Sequence, residues 1–339
     1  MTDLPKISIV IPIRNEGKYI ASTITYLQKQ DYPADRMEIL VADSGSNDRT
    51  REIVADLAAR DTRIRLFDNP RQLASAGRNI GVRNATADII TFIDGHTYID
   101  NDLLLKNTVK LMAEKDVSVL SRPQFLETPD NNFFQRAVSF ARKSVIGHGL
   151  DSTIYTDEEK FVNPSSSGAT YRKEVFGKVG EFDERFDACE DVEFNYRVHL
   201  KGYDSFTSPR LAVYYYPRDS VGGLFRQLKR YGIGRFRLAC KHRKTLTFGT
   251  LIPFFITVGF PLLGILSFFS DILFYVFLVS IILYLATVLA LSLAISLKRG
   301  ISYFLILPVI FVTIHGALGI GFLTEFVRTL IGKGVAFCH

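Results

Sequence analysis

The sequence lacks the features that identify several common classes of protein. Its three cysteines, Cys189, Cys240 and Cys338, are odd in number and far apart, so they indicate neither a disulfide framework nor a zinc site. Neither a GxxxxGK[ST] loop nor a GxGxxG turn follows the first apolar run, which argues against P-loop and dinucleotide-binding proteins. No basic leader precedes the short N-terminal apolar run, so we expect no cleavable signal peptide and a reducing, cytoplasmic setting for the first part of the chain.

Charged residues are nearly missing from the C-terminal part of the chain. Asp271 is the only charged residue in the stretch 245–297, and the stretch 300–324 has none. About 20 consecutive apolar residues suffice to cross a bilayer, whereas core helices of globular proteins rarely stay apolar on every face. We therefore predict a transmembrane region over 245–339 with about three helices, at 247–270, 272–297 and 301–324.

The distribution of basic residues predicts the orientation of these helices. The run CKHRK at 240–244 precedes the first helix, and Lys298 and Arg299 follow the second; positive charge favours the cytoplasmic side. This predicts a multi-pass protein of the plasma membrane with a cytoplasmic N-terminal domain, an external turn at Asp271 and a third full crossing. Two basic residues of the tail favour the opposite arrangement for the last segment, so a re-entrant third segment is the alternative: Arg328 and Lys333.

A strongly basic segment, 216–244, lies just before the first apolar stretch. Its Arg and Lys residues alternate with Leu, Phe, Tyr and Ile. A basic amphipathic helix in this position is typical of an interfacial element on anionic membrane lipids. Nucleic-acid binding is the weaker interpretation, and we expect no nucleic-acid partner.

Residues 1–215 alternate between strand and helix patterns. Apolar runs at 7–13, 37–43, 64–69 and 88–94 predict buried strands, which is typical of a mostly parallel, Rossmann-like α/β sheet with helices on both faces. Ligands of such sheets bind beyond the carboxyl ends of the strands. Polar residues collect there in this sequence: Asn15, Glu16, Asp43, Ser44, Asp94 and His96.

The stretch ITFIDGH places Asp94 and His96 two residues apart at a strand end. In an extended chain both side chains point to one side, and both residue types bind metals. The alternative is a plain turn in which Gly95 allows the bend.

Later, Glu190 and Asp191 open a predicted helix; they either compensate the helix dipole or include an ionised carboxylate that acts as general base.

Five motifs occur in a specific order over residues 5–235. They are VIPIRNEG, VADSGSNDRT, AGRNIGVRNATADIITFIDGH, GATYRKEVFGKVGEFDE and CEDVEFNYR. In this order they resemble the family 2 glycosyltransferases, which are inverting enzymes with the GT-A fold. A later RQLKRYGIGR and the apolar stretches after it are similar to the membrane-attached members, above all those of succinoglycan-type exopolysaccharide biosynthesis.

The resemblance implies a role for each matching residue. The residues expected to bind the nucleotide sugar are Pro12, Asn15, Glu16, Asp43, Arg78, Asn79 and Asp94. Asp94 and His96 would hold a divalent metal, Mn²⁺ or Mg²⁺. Asp191 would be the catalytic base, with Glu190 beside it. The residues expected near the acceptor or the diphosphate are Gly168, Gln227, Arg230 and Tyr231.

The sequence departs from the family pattern at three positions. Asp43 is followed by Ser44 instead of a second Asp, and His96 takes the last position of the DxD motif. Imidazole is acceptable for Mn²⁺ and less apt for Mg²⁺. Tyr231 replaces the Trp typical of processive synthases, which favours a single sugar addition over polymerisation.

The resemblance implies inverting, metal-dependent transfer from a nucleotide sugar, expected to be UDP-linked, to a polyprenyl-diphosphate-linked saccharide at the cytoplasmic membrane face. Transfer to polyprenyl phosphate itself is an alternative. A non-catalytic nucleotide-binding protein on a membrane anchor is another, although it would need no Glu190-Asp191 pair. A transporter is disfavoured because the predicted spans contain almost no ionisable residue. The sequence leaves a homo-oligomer open.

Overall fold

The computed structural model describes residues 4–147 and 154–335, so Cys338 lies outside the described residues. The chain divides into two compact units. The described residues of the first unit are 4–128 and 154–216, and those of the second unit are 129–147 and 217–335. Residues 129–147, which lie within the stretch 1–215 assigned from sequence to the catalytic domain, belong to the second unit.

The strands and helices of the first unit follow one another along the chain. Before residue 129 they are β1 Ile7–Ile13, α1 Ile20–Gln28, β2 Met37–Asp43, α2 Thr50–Arg60, β3 Ile64–Asp68, α3 Ala74–Asn84, β4 Ile89–Phe92, β5 Thr97–Tyr98, α4 Leu104–Glu114, β6 Val119–Ser121 and β7 Gln124–Phe125. One helix of the second unit follows, α5 Phe133–Arg142. The first unit then continues with β8 Lys160–Val162, β9 Gly168–Arg172, α6 Glu174–Val179, α7 Glu190–Leu200, β10 Ser205–Thr207 and β11 Val213–Tyr215.

The main sheet is mostly parallel, as the sequence predicts. Among the described residues it has eight strands in the order β3-β2-β1-β4-β9-β6-β10-β8. Strands β1 to β4 pair in parallel, while β9 runs antiparallel between β4 and β6. Strands β1 and β2 are buried almost throughout because helices cover both faces. A smaller sheet joins β5, β11 and β7.

Two glycines let α3 lie directly on the sheet. A Cβ atom on Gly81 would lie 2.2 Å from Cγ1 of Val10 in β1, and one on Gly77 would lie 3.2 Å from Cβ of Pro12. These distances leave little or no room for a side chain, so α3 packs closer to β1 than an ordinary helix could. Arg78, which follows Gly77 on α3, is thereby held near Phe92 and Asp94 at the end of β4.

The second unit contains, besides α5, the helices α8 Val221–Lys241, α9 Phe248–Phe254, α10 Phe260–Leu266, α11 Asp271–Arg299 and α12 Ile306–Leu330. Within the described residues, three helical stretches are long and apolar enough to cross a membrane: Phe248–Phe269, Asp271–Arg299 and Ile301–Leu330. The first stretch stays helical through Pro253 by a π-helical turn, Phe255–Gly259. The third ends six residues later than the sequence predicts.

Candidate active site

The candidate site lies at the carboxyl edge of β1, β2 and β4, where the sequence predicts it. Strand β4 ends at Phe92, two residues before Asp94. Gly95 and His96 then form a turn that leads into β5. The hydroxyl of Thr23 donates to the carbonyl of Gly95 at 3.0 Å, and the hydroxyl of Thr97 donates to the carbonyl of Asp94 at 2.8 Å. The bend is therefore held from two sides.

Arg78 connects the carboxylates of this site. Its guanidinium lies 3.3 Å from Glu190 Oε1 and 3.5 Å from Asp94 Oδ1. The rings of Phe92 and Phe182 lie 5.1 and 5.7 Å from it. Burial alone lowers the pKa of Arg78, but the nearby carboxylates more than offset this and keep that pKa above its usual value. Arg78 thus joins the turn at Asp94 to the start of α7.

The pair that opens α7 differs in environment. Glu190 is buried, and burial together with the charge of Asp191 raises the pKa of Glu190 to about 7, against the opposing effect of Arg78. Asp191 is partly exposed, and its carboxylate accepts from the backbone N–H of Val192 at 2.8 Å. The residue before them, Cys189, has a left-handed backbone with φ 61°. Such strain in a non-glycine residue is typical of functional sites.

Asp94 and His96 contact different partners in this structure. Asp94 is paired with Arg78, whereas Nδ1 of His96 lies 2.9 Å from Oε1 of Glu16. A ligating histidine commonly binds a carboxylate through its second ring nitrogen, which fixes the ring, so the contact with Glu16 fits a metal-binding role. Among residues 4–147 and 154–335, no group of three His, Cys, Asp or Glu side chains is arranged to hold a metal alone.

The loops after β1 and β2 are tied to each other. Asn15, with φ 56°, accepts from the backbone N–H of Asn47 at 2.9 Å, and its own N–H donates to Ser46. Ser46 in turn donates through its hydroxyl to Asp43 at 2.6 Å. Asp43 is almost fully buried and also lies 3.4 Å from Arg51. The predicted nucleotide residues Asn15 and Asp43 therefore belong to one hydrogen-bonded loop cluster beside Glu16.

The other predicted residues of the first unit are packed more deeply. Asn79 is buried, and its amide group both accepts from the N–H and donates to the carbonyl of Phe182. It fixes the loop that leads to α7. A Cβ atom on Gly168 would lie 2.5 Å from Oδ1 of Asn195. Pro12 is partly buried near the end of β1, against Gly77 of α3.

Sequence reasoning missed Arg122, which follows β6. It is only 3% exposed, and its guanidinium donates to the carbonyl of Phe92 at 2.8 Å and to the hydroxyls of Thr91 and Thr170. Burial lowers its pKa. A buried guanidinium that fixes the end of β4 holds the Asp94 turn in place. Its one sequence signal is a charged residue directly after an apolar strand.

The remaining predicted residues lie in the second unit. Gln227, Arg230 and Tyr231 belong to α8; Gln227 is partly buried, and the other two are exposed. The structure groups the residues of the first unit around Arg78 and places these three on a separate helix. Their expected role near the acceptor or the diphosphate remains a prediction.

Comparison with known proteins decides the family. Residues 8–180 match the family model of glycosyl transferase family 2. The chain belongs to this family. It is therefore a glycosyltransferase, and both the family and the mostly parallel α/β class predicted from sequence are confirmed.

Relatives of family 2 cover most of the chain. The succinoglycan biosynthesis protein ExoA of Rhizobium meliloti (strain 1021) is 33% identical over 72% of this chain and 73% of its own length. A Methanococcus voltae protein, named dolichyl N-acetyl-alpha-D-glucosaminyl phosphate 3-beta-D-2,3-diacetamido-2,3-dideoxy-beta-D-glucuronosyltransferase, is 24% identical over 95% of this chain and 97% of its own length.

Among solved structures, the mannosyltransferase PcManGT of Pyrobaculum calidifontis, in complex with GDP-Man and Mn²⁺, covers 98% of this chain and 89% of that chain with a TM-score of 0.63 and 19% identity. At this identity the likeness supports the GT-A-type fold of this family 2 member and no finer statement.

Proposed function

We propose that this glycosyltransferase transfers one sugar, with inversion, from a nucleotide sugar to a polyprenyl-diphosphate-linked saccharide at the cytoplasmic face of the plasma membrane. The process it would serve is exopolysaccharide or cell-surface glycan biosynthesis, in line with the names of its relatives. The observation that supports this most is the cluster of Asp94, Arg78, Glu190 and Asp191 at one sheet edge.

The loop cluster around Asp43 would bind the base of the donor. The Asp43 carboxylate is held by Ser46 and Arg51, so it is preoriented as an acceptor for an imino N–H. Uracil offers such a group, which agrees with the expected UDP-sugar. Asn15 and Glu16 would line the same pocket, because their loop is tied to the loop after β2.

Asp191 would act as the general base. It is the more exposed member of the pair at the start of α7, so an acceptor hydroxyl can reach it. As the acceptor oxygen bonds to the anomeric carbon, the bond from that carbon to the diphosphate oxygen breaks, and the hydroxyl proton passes to Asp191. Arg78 and Glu190 orient the start of α7 toward the Asp94 turn.

The residues present fit a divalent metal bound jointly with the donor. Asp94 and His96 would hold Mn²⁺ or Mg²⁺, whose charge offsets the charge of the leaving diphosphate. Such ions usually take only one or two protein ligands beside substrate phosphates, so Asp94 and His96 would be sufficient protein ligands. Glu16 would keep His96 oriented.

Replacing the proposed base tests this function. Asp191→Asn preserves shape but cannot accept the proton, so we expect turnover to fall about a hundredfold or more while donor binding persists. Asp88→Asn, which changes an exposed carboxylate just before β4, should leave turnover unchanged. Transfer to lipid-linked acceptors is measured by mass spectrometry with a panel of nucleotide sugars. Wild-type turnover by Asp191→Asn would remove the assignment, and a product on bare polyprenyl phosphate would identify the alternative acceptor.

A further inference from the structure

The three long apolar stretches differ in what surrounds them. In Phe248–Phe269 none of the apolar window is buried within the protein, and in Asp271–Arg299 only 6% is, whereas half of the apolar window in Ile301–Leu330 is buried. Helix α12 packs against α8 and α5, and both of these helices contain arginines. If α12 crossed the bilayer, α8 and α5, which pack against it, would also have to enter the bilayer with their arginines.

Helix α8 approaches the midpoint of α12 backbone to backbone. A Cβ atom on Gly232 would lie 2.1 Å from the carbonyl oxygen of Leu318, the central residue of Ile306–Leu330. One on Gly321 would lie 2.1 Å from the carbonyl oxygen of Lys229. Small residues permit such close contact between helices. Whatever depth Leu318 has in the membrane, Gly232 shares it.

This contact fixes the depth of the exposed arginines of α8. Arg230 and Arg235 lie two and three residues from Gly232 and are exposed. If α12 crossed the bilayer, both guanidinium groups would lie near its centre, where each costs about 2.5–3.5 kcal/mol on insertion scales. At the headgroup level the same groups are favourable on anionic lipid.

A second contact near the midpoint leads to the same conclusion. Nε2 of His315 lies 2.8 Å from the carbonyl oxygen of Ile146, in a turn that follows α5. The neighbouring residues Arg142 and Lys143 are charged. Irregular backbone exposed to lipid is not tolerated in the hydrocarbon region, so this contact argues against a position of His315 deep in the bilayer.

Both ends of α12 lie beside the charged ends of the other two apolar helices. Tyr303, just before α12, follows Arg299 by four residues. Near the other end, the rings of Phe322 and Phe326 lie 5.4 and 6.5 Å from that of Phe254, close to the start of the first apolar stretch. If α12 crossed the membrane, Phe322 and Phe326 would lie on the opposite side, beside the turn at Asp271 and away from Phe254.

We propose that α12 does not cross the membrane but lies obliquely in one leaflet, where it forms a single interfacial layer with α8. The chain then crosses twice, through Phe248–Phe269 and Asp271–Arg299, and residues after α12 return to the side of the basic run 240–244. The exposed arginines of this layer meet anionic headgroups. The inference replaces the third crossing expected from composition and does not depend on the catalytic assignment.

Single cysteines test the arrangement in full-length protein whose three native cysteines are replaced. Lys333→Cys reports the residues after α12, Asp271→Cys the turn between the two crossings, and Lys244→Cys the basic run; all three positions are exposed. Each variant is treated with an impermeant maleimide in sealed right-side-out and inside-out membrane vesicles. Wild-type-like melting in detergent verifies that each variant is folded.

We expect Lys333→Cys to be labelled in the same vesicles as Lys244→Cys and not in those that label Asp271→Cys. Labelling of Lys333→Cys together with Asp271→Cys would establish a third crossing and overturn the proposal. Labelling of all three cysteines from the same side would also overturn it, because the two proposed crossings would then be absent.

Discussion

At the scale of single residues, the site depends on Arg78, which pairs with two carboxylates that are far apart in sequence. Its contacts with Asp94 and Glu190 link the turn at Asp94 to the start of α7. The sequence motifs predicted a role for each of these residues but did not predict this link. Arg78 and Glu190 are 112 positions apart in the sequence. Their pairing depends on packing, here on the contact of Gly81 with Val10 that sets α3 against β1.

The ionisation of Glu190 predicts a pH dependence. Because the pKa of Glu190 is raised to about 7, this carboxyl takes up a proton as the pH falls through that value, and its ion pair with Arg78 is then lost. We therefore expect kcat/KM to decrease from pH 8 to pH 6, with an inflection near 7.

Glu190→Gln separates this ionisation from any other. The amide cannot ionise, so the inflection near neutral pH should disappear, although the overall rate is expected to be lower. The kcat/KM for the donor is measured with saturating acceptor across the same pH range, with Asp88→Asn as the control. Superimposable pH profiles for Glu190→Gln and the wild type would contradict the assignment.

At the scale of elements, the sequence predicts strands well where they are continuous apolar runs. β1 and β2 begin and end where the patterns 7–13 and 37–43 do. β4 ends at Phe92 and not at 94, because the hydroxyls of Thr97 and Thr23 bind the carbonyls of Asp94 and Gly95 and hold these residues in a turn. The hydrogen bond from Thr23 joins residues 72 positions apart, and such a contact has no local sequence pattern.

The helix α7 is positioned by a buried network that the sequence did not indicate. The hydroxyl of Tyr171 donates to Oδ1 of Asn195 at 2.6 Å, and the amide of Asn195 donates to the carbonyl of Gly168 at 3.1 Å. Asn195 lies one turn after Asp191 on the same helix. The close approach of β9 to α7 explains why Gly168 has no side chain.

Gly168→Ala tests this network. Its methyl group would meet Asn195 at about 2.5 Å, so Asn195 and the start of α7 must shift. We expect a loss of about 1–3 kcal/mol in stability, typical of overpacking, and slower turnover through displaced Asp191. Gly177→Ala is the matched control, because a Cβ atom there meets nothing within 4 Å. Melting in detergent and turnover are measured; equal behaviour of the two variants would contradict the prediction.

At the scale of the whole molecule, a family 2 catalytic unit is followed by a unit rich in apolar helices. Composition was enough to predict those helices, but it could not distinguish a crossing helix from a buried one. Buried contacts between α12 and α8, such as that of Arg237 with Glu325 at 2.8 Å, support the interfacial position that we propose for α12. The ion pair joins α8 to α12, and Glu325 directly follows the stretch 300–324, which has no charged residue.

The exposed arginines of α8 allow two roles to be separated by substitution. We propose, from the family resemblance, that Arg230 binds diphosphate oxygens of the lipid-linked acceptor in addition to facing the headgroups, whereas Arg235 contacts headgroups only. A guanidinium binds such oxygens through a planar fork that the ammonium group of lysine lacks. Losing one charge-assisted hydrogen bond costs about 1.5–3 kcal/mol, or more than tenfold in rate.

Arg230→Lys and Arg235→Lys both keep the charge, so binding to anionic vesicles should be unchanged in both. We expect Arg230→Lys to reduce turnover about tenfold or more in detergent with saturating donor and acceptor, while Arg235→Lys keeps the wild-type rate. Vesicle flotation and the rate of transfer to the lipid acceptor are the two measurements. If Arg230→Lys transfers sugar as fast as the wild type, Arg230 serves the membrane surface alone, and other residues must bind the diphosphate.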